Sequence, residues 1–238
     1  AISIMNKVFD DEVDLISGAR AQRERMKMMA LTTGAISIAA NGQAYDYDYG
    51  MPETHKTEVT KSWSDPTADI YGDIESMQEI IETDTGVKPD RAVVTTKTWG
   101  YFRKNTAIRN AILGNNSGVQ VSDDKIKAYL KDNLGIEVIK YTKKYKTEAG
   151  AEASFIPDDV FTMFPSHPLG KGWFGTTPEE SDLMTGNAPA NVALVDKGVA
   201  VTTSKLVDPV NVDTKVSMIF LPSFEGVDEV GIIDVIAS

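Results

Sequence analysis

Hydrophobic and polar positions follow a helical period at the start of the chain. Between about Asp11 and Thr33, small and apolar residues share one sector of the helical wheel: Leu15, Ala19, Met26, Met29 and Ala30. Basic residues recur at i, i+3 and i+7 on a second sector: Arg20, Arg23 and Lys27. The pattern predicts an amphipathic helix, about 35 Å long at the usual rise, that ends at Gly34. We interpret the apolar sector as a packing face and the basic stripe as a face toward solvent or a neighbouring subunit.

A period of two replaces this pattern after the helix. Ile36 and Ile38 alternate with small or polar residues, Asn41-Gly42 is a strong signal for a two-residue hairpin turn, and Tyr alternates with Asp over 45–49. The Tyr–Asp alternation could indicate a carbohydrate or calcium site, but the EF-hand pattern of ligands is absent. In a strand the aspartates share one face and the tyrosines the other. We therefore predict a half-buried β-hairpin.

Helical periodicity returns at Asp65-Pro66, a suitable N-cap followed by a suitable first helical residue. Apolar residues then recur at i, i+4, i+7 and i+11: Ile70, Ile74, Met77 and Ile81. Gly86 is the predicted end of this helix. The remaining pattern predicts an extended segment at 55–63, a buried strand at 91–96, one helix over 98–113, a loop at 114–118, a capped helix over 122–135 and a strand from 136.

The last third of the chain is rich in strand-forming segments. After Gly150 these are DVFTMFP, GWFGTT, NVALV, GVAVTTS, TKVSMIFLP and EVGIIDVI. Helices in the first two thirds and strands at both ends predict an α+β fold. At 238 residues the chain is long enough for one large domain or two modest ones.

Charge is distributed unevenly along the chain, whose formal net charge is −11. Residues 1–96 carry 9 basic and 17 acidic side chains, residues 97–146 carry 11 and 4, and residues 147–238 carry 4 and 14. The overall balance opposes tight, sequence-independent DNA binding, because phosphate neutralisation requires an excess of Lys and Arg. We interpret the basic middle segment as a patch that pairs with acidic neighbours or subunits.

Composition excludes several further classes of site. The chain has no cysteine, which excludes disulfides, thiolate metal sites and Cys nucleophiles and fits a reducing cytoplasm. No apolar run approaches the roughly 20 residues that span a bilayer, so we expect no membrane partner. No secretion signal is recognisable. The chain begins at Ala1, close to the predicted helix, and we expect a processed or truncated N-terminus.

The candidate chemical motifs are weak. His55 and His167 lack a second His or a Cys at ligand spacing, which argues against a zinc site or a catalytic triad. The acidic pairs at 10–12, 123–124 and 158–159 identify no two carboxylates that face each other, and the first two mark helix starts. The sequence GKGW at 170–173 lacks phosphate-loop spacing and predicts a turn. The sequence thus predicts no catalytic residue, no cofactor and no metal ligand.

The order and wording of several segments resemble the major capsid protein of lambda-like tailed bacteriophages. These segments are AQRERMKMMALTTGAISI followed by the NG hairpin, KSWSDPTADIYGDIESM with TWGYF about thirty residues later, FIPDDVFTMFPSHPLGKGWFGTTPEES, and the closing DPVNVDTKVSMIFLPSFEGVDEVGIIDV. Together they extend over most of the chain from about Ala19. The resemblance implies a Hong Kong 97-like capsid fold with a long spine helix, a peripheral β-domain and an axial α/β domain.

The resemblance also implies a domain division and a function. Residues 1–65 with 158–206 would form the peripheral domain, and residues 66–157 with 207–238 the axial domain. The implied role is a structural subunit, not an enzyme, of an icosahedral shell around phage or prophage double-stranded DNA. It would be part of the virion and assemble in the bacterial host cytoplasm. Its partners would be copies of itself in hexamers and pentamers, with scaffold, portal and decoration proteins, and DNA only through non-specific contact.

One departure from this family and two alternative functions remain at this point. The N-terminal arm and extended loop that precede the spine helix in the family are not recognisable here. No motif assigns an isopeptide cross-linking pair in this sequence. One alternative is a shell subunit of a cellular protein nanocompartment of the same fold. The other is a hydrolase or carbohydrate-binding module that uses the acidic pairs or the Tyr–Asp strand.

Overall fold

The structure is a computed structural model, which describes residues 2–40, 43–114, 119–147, 150–186, 191–196, 198–207 and 210–238. Its helices are α1 (Ile2–Thr33), α2 (Ile70–Thr85), α3 (Thr96–Lys104), α4 (Thr106–Leu113), α5 (Asp123–Leu134) and α6 (Pro178–Thr185). Its strands are β1 (Ala35–Ala40), β2 (Gln43–Asp48), β3 (Lys56–Glu58), β4 (Arg91–Val94), β5 (Glu137–Lys140), β6 (Lys144–Lys146), β7 (Glu152–Ser154), β8 (Val160–Phe164), β9 (Gly172–Gly175), β10 (Asn191–Asp196), β11 (Val199–Val207), β12 (Val210–Pro222) and β13 (Gly231–Asp234). Short 3-10 helices occur at Glu53–His55 and Val227–Glu229. The predicted mixture of helix and sheet is confirmed.

Helix α1 ends where the sequence predicts but begins earlier. Gly34 adopts a left-handed φ of 75° and donates its N–H to the carbonyl of Ala30 at 2.8 Å, which closes the last turn. The predicted start near Asp11 is wrong, since the helix already includes Ile2. No Gly or Pro occurs between residues 2 and 11, so nothing in that stretch interrupts the helical backbone. The acidic run 10–12 therefore lies inside the helix and does not mark its start.

The predicted hairpin is confirmed by the antiparallel pairing of β1 with β2, in which Ile36 lies opposite Tyr47. The Asn41-Gly42 turn lies outside the described residues. Half-burial holds for Ile36, which is 3% exposed, but Tyr45 and Tyr47 are 59% and 50% exposed. The ring of Tyr47 contacts that of Tyr49 edge to face at 4.8 Å, so these rings pack on each other and leave much of their surface in water.

Two compact units make up the chain, and each is formed from two segments. One unit comprises Ala1–Lys27 with Lys171–Ser223, and the other comprises Met28–Gly170 with Phe224–Ser238. The predicted peripheral and axial domains were assigned by their place in an assembly and have different bounds. That division stays a prediction.

The larger unit, Met28–Gly170 with Phe224–Ser238, is built on a five-stranded sheet in the order β3-β13-β8-β4-β5. The predicted apolar face of α2 is confirmed: Ile70, Ile74, Met77 and Ile81 are all buried. They join a core that includes an aromatic cluster around Phe102, whose ring lies 5.3 Å from that of Trp63 and 5.2 Å from that of Trp99. Gly86 ends α2 in the left-handed conformation, as predicted.

The start of α2 and the continuity of the next helix differ from the predictions. Helix α2 begins at Ile70, with Asp69 as its cap, because Asp65 instead accepts the N–H of Thr67 in a local turn. The helix predicted over 98–113 is two helices separated at Asn105. The N–H of Asn105 closes α3 and its side-chain oxygen caps α4 at Ile108, 3.0 Å away.

The smaller unit, Ala1–Lys27 with Lys171–Ser223, contains a four-stranded antiparallel sheet in the order β10-β11-β12-β9. The predicted strand-rich character of this region is confirmed. Helix α6 in the same unit was not predicted. Pro178 occupies its first turn, and the side chain of Thr177 accepts the N–H of Glu180, which together begin a helix of eight residues.

Candidate assembly surfaces

The two histidines hold separate local contacts. His55 is fully buried, and its Nε2 lies 3.0 Å from Oδ2 of Asp84 on α2. His167 is half-exposed, and its Nε2 lies 2.9 Å from Oε2 of Glu229. Within the described ranges, no group of three or more His, Asp or Glu side chains is arranged to hold a metal ion. Each histidine joins neighbouring segments, and neither is part of a recognisable catalytic arrangement.

The acidic pair 158–159 forms a structural junction around Asp159. Its backbone φ is 64°, in the left-handed region that residues other than glycine rarely adopt. Its carboxylate accepts hydrogen bonds from Lys97 and, at 2.7 Å, from the hydroxyl of Tyr101, and its N–H donates to the hydroxyl of Thr98 at 3.0 Å. Burial is the main cause that raises the pKa of Tyr101, and the hydrogen bond to Asp159 raises it further. These contacts attach the segment before β8 to α3.

The pair 123–124 lies in the first turn of α5, as predicted. Asp123 accepts a hydrogen bond from Lys140 and lies 3.6 Å from Nε of Arg103. The bond from Lys140 lowers the pKa of Asp123. Farther along, Lys144 pairs with Glu152 at 3.3 Å. Several cations of the basic middle segment thus pair with acidic residues of the same chain, as expected.

Two exposed cations of this segment border a cleft of about 590 Å³. The cleft is lined by Pro66, Gly100, Arg103, Lys104, Thr106, Arg109, Gln120 and Val121. Lys104 is exposed, and Arg109 donates to the carbonyl of Val119 at 3.2 Å. The lining residues include three cations and no carboxylate, and one of these cations, Arg103, lies against Asp123.

The basic stripe of α1 lies against aromatic rings. The guanidinium of Arg23 is 5.6 Å from the ring centre of Phe174 on β9, and the ammonium of Lys27 is 5.7 Å from that of Phe220 on β12. These distances allow cation–π attraction. The prediction that the whole stripe faces solvent or a neighbour is therefore wrong for Arg23, which is partly buried against the sheet of its own unit, whereas Lys27 is exposed as predicted although its ammonium lies over Phe220.

On the opposite face of strands β9 and β12, apolar side chains are exposed. Leu221 on β12 pairs directly with Trp173 on β9, and residues paired in this way project from one face. Ile219, two residues before Leu221, lies on the same face. The three side chains are 61% (Trp173), 48% (Ile219) and 41% (Leu221) exposed. We call this set the Trp173 face.

The sequence could have indicated this face only in part. The sequence GWFGTT predicts a strand, in which the adjacent residues Trp173 and Phe174 point to opposite faces. GKGW was predicted to be a turn, but Gly172 and Trp173 already belong to β9. Which of the two aromatic residues is more exposed, Trp173 at 61% or Phe174 at 37%, depends on the contacts of α1, more than 140 positions earlier, and local periodicity cannot show that.

Helices long and apolar enough to cross a membrane do not occur in the described part of the chain. The described residues present three notable surfaces: a long helix, an exposed apolar sheet face and a basic cleft.

The sequence profile of the family described as phage major capsid protein E matches residues 1–230. The chain belongs to this family. It is thus a phage major capsid protein with a structural role, a component of the virion, and the predicted resemblance is confirmed. The family does not favour the nanocompartment, hydrolase or carbohydrate-binding alternatives.

Solved structures show the same fold at low sequence identity. A candidate capsid protein of a prophage from E. coli CFT073 matches this capsid protein with a TM-score of 0.68 and 18% identity, over 95% of this chain and 66% of that one. A phage-related protein from Bordetella bronchiseptica RB50 matches with a TM-score of 0.56 and 12% identity, over 99% of this chain and 68% of that one. The chain thus spans about two thirds of the length of these proteins. No curated protein sequence matches it.

Proposed function

We propose that this capsid protein is the head subunit that assembles into an icosahedral shell around phage double-stranded DNA, with a Hong Kong 97-like fold. The family match over residues 1–230 carries this proposal. In the proposed assembly, residues 1–65 with 158–206 form the peripheral domain, and residues 66–157 with 207–238 form the axial domain. Copies meet as hexamers and pentamers, and assembly takes place in the host cytoplasm with scaffold and portal proteins and, in the finished head, decoration proteins.

The contacts of the basic residues support a non-specific role toward DNA. Arg23 and Lys27 lie over aromatic rings, and Lys97, Lys140 and Lys144 lie against carboxylates. A cation that already has a partner gains less from a phosphate, because the existing contact must be given up. The net charge of −11 adds a repulsive background. We therefore propose that packaged DNA contacts the shell weakly and without sequence preference.

The proposed subunit has no enzymatic turnover. In the predicted acidic pairs 123–124 and 158–159, Asp123 is bound to Lys140 and Asp159 to the hydroxyl of Tyr101, and each histidine has its own carboxylate partner. These contacts favour structural roles for the titratable side chains that the sequence singled out.

The deciding experiment uses the complete native gene product, expressed together with the neighbouring assembly genes of its phage or prophage. We expect closed particles in electron micrographs and a fast-sedimenting species in the ultracentrifuge. A product that stays monomeric by both methods under these conditions would contradict the proposal. Particles that contain a cellular enzyme and no DNA would instead favour the nanocompartment function.

A further inference from the structure

The β9–β12 edge of the smaller unit has two different faces. On one face, the rings of Phe174 and Phe220 lie 5.1 Å apart and are approached by Arg23 and Lys27. On the other face lie the exposed side chains of the Trp173 face, defined above. Monomeric proteins rarely expose contiguous apolar side chains of this size without a binding role. The second face therefore requires an explanation that folding of the single chain does not supply.

The backbone around this face is shaped to keep it open. Gly175 lies opposite Ile219, and a Cβ at Gly175 would lie 2.6 Å from Cγ2 of Ile219, too close for any side chain. The glycine thus leaves room for Ile219 on the exposed surface. Among the described strands, β9 pairs only with β12, so its other edge offers unpaired backbone groups to a partner. Both features suit a surface that another protein covers.

Helix α6 offers a surface of matching character. Further along the exposed face of β12, the carboxylate of Glu179 binds Lys215 at 2.6 Å and Ser217 at 3.0 Å, which attaches α6 there. On α6, Met184 is 77% exposed and the neighbouring Leu183 is 40% exposed. Because α6 has no buried residue, these two apolar side chains are available for contact with a partner.

The charges around the two surfaces are complementary. Helix α6 has the sequence PEESDLMT, with no basic residue; Glu179 is paired with Lys215, and Glu180 and Asp182 are its other acidic residues. The Trp173 face is bordered by the exposed Lys171, directly before β9. A single chain thus carries an apolar face with a cation at its border and an apolar helix with acidic residues.

We propose that the Trp173 face binds helix α6 of a second copy of this chain. The inference rests on the proposed shell function, and it names the surface through which two copies meet. The contact joins two different patches, so it is heterologous, and contacts of this kind close into rings when the rotation between copies permits. Double-stranded DNA is a poor occupant, because the Trp173 face is apolar and the matching helix is acidic.

Tryptophan fluorescence provides a direct test. The chain has three tryptophans, and Trp63 and Trp99 are each 1% exposed, whereas Trp173 is 61% exposed. In the unassembled native gene product, acrylamide should quench one component of the emission, and Trp173→Phe should remove that component. In assembled particles we expect the quenching constant of the Trp173 component to fall at least several-fold. Equal quenching before and after assembly would overturn the proposal.

A second variant tests the identity of the occupant. Met184→Glu leaves the Trp173 face intact but places a charge on the proposed contact, so assembly should decrease and Trp173 should stay quenchable in the oligomers that form. Val119→Glu, at a 54% exposed apolar residue of the larger unit, is the matched control and should behave as wild type. Full shielding of Trp173 in Met184→Glu particles would show that another surface covers it and would overturn the assignment of α6. Failure of the wild-type product to assemble would instead contradict the shell function itself.

Discussion

Glu179 and Lys215 are joined by a 2.6 Å hydrogen bond between the first turn of α6 and strand β12. The carboxylate also accepts the hydroxyl of Ser217 at 3.0 Å. The bond from Lys215 is the main cause that lowers the pKa of Glu179 from its ordinary value near 4.5 to about 2. These contacts fix α6 on the sheet, and helix α6 supplies one half of the contact between copies proposed above.

The lowered pKa of Glu179 predicts a pH dependence of stability. A carboxyl whose folded pKa is depressed stabilises the folded state above its ordinary pKa, and this contribution is lost as the pH falls from about 4.5 to about 2. Glu179→Gln should lower the free energy of unfolding at neutral pH by less than about 1 kcal/mol, since Lys215 is largely exposed. In thermal unfolding from pH 7 to pH 2, the difference from wild type should shrink below pH 4.5. A difference that stays constant with pH would contradict this account, and Glu180→Gln is the neighbouring control.

Asn105 is predicted to be a main determinant of the stability of the larger unit. It is 1% exposed, caps α4 through Ile108, and donates its side-chain N–H to the carbonyl of Ala68 at 2.7 Å. Asn105→Ala removes the cap and leaves a buried carbonyl without its donor, which should cost about 2–3 kcal/mol in urea unfolding. Asn133→Ala, at an exposed position of α5, should change stability by less than about 0.5 kcal/mol. Equal effects of the two substitutions would refute the assigned role.

Lys27 is predicted to contribute to stability and not to DNA retention. Its ammonium lies over the ring of Phe220, an exposed cation–π contact of about 0.5 kcal/mol. Lys27→Gln should therefore lower the unfolding free energy by about that amount and leave retention of double-stranded DNA unchanged across a salt series. Lys125→Gln, on the exposed surface of α5, is the control with the same charge change. A loss of DNA retention specific to Lys27→Gln would show that the basic stripe of α1 contacts phosphate.

Charge reversal at Lys143 and Lys144 should impair ring formation. Lys144 pairs with Glu152, and Lys143 lies over the ring of Tyr141 at 5.8 Å, so both cations belong to an ordered surface of the basic segment. If that segment meets the acidic surface of a neighbouring copy, Lys143→Glu with Lys144→Glu should reduce the assembled fraction several-fold, most strongly at low salt.

The control for this prediction is Lys61→Glu with Lys88→Glu, which makes the same charge change at exposed positions outside the basic segment. Assembly that is unaffected by the Lys143 and Lys144 reversal from low to high salt, measured by sedimentation, would count against a role of the basic segment between copies.

Features that depend on neighbours along the chain were predictable from the sequence. The buried side of α2 follows from a period of 3.6, and Gly34 and Gly86 end their helices in the left-handed conformation that glycine favours. The break at Asn105 was missed because TWGYFRKNTAIRNAIL keeps a helical pattern on both sides of it. The cap on Ile108 and the hydrogen bond to Ala68, 37 positions earlier, together hold this side chain where one helix ends and the next begins.

The candidate surfaces were harder to predict because they are defined by what lies on the opposite side of a strand. Nothing within GWFGTT shows that Trp173 is more exposed than Phe174, over whose ring Arg23 lies. Arg23 and Phe174 are brought together by a helix from the start of the chain and a strand from its last third. The family resemblance could be recognised from the sequence because it depends on the order of segments and not on any one contact.

The place of β13 in the five-stranded sheet has a consequence for the order of events during synthesis. This strand pairs on one side with β3 and on the other with β8, both of which leave the ribosome much earlier. The segment Lys171–Ser223 is translated between β8 and β13, so its own antiparallel sheet can form while the larger sheet still lacks an inner strand. A nascent subunit therefore cannot complete the larger unit until residues 231–234 are available, after the whole segment Lys171–Ser223 has been made.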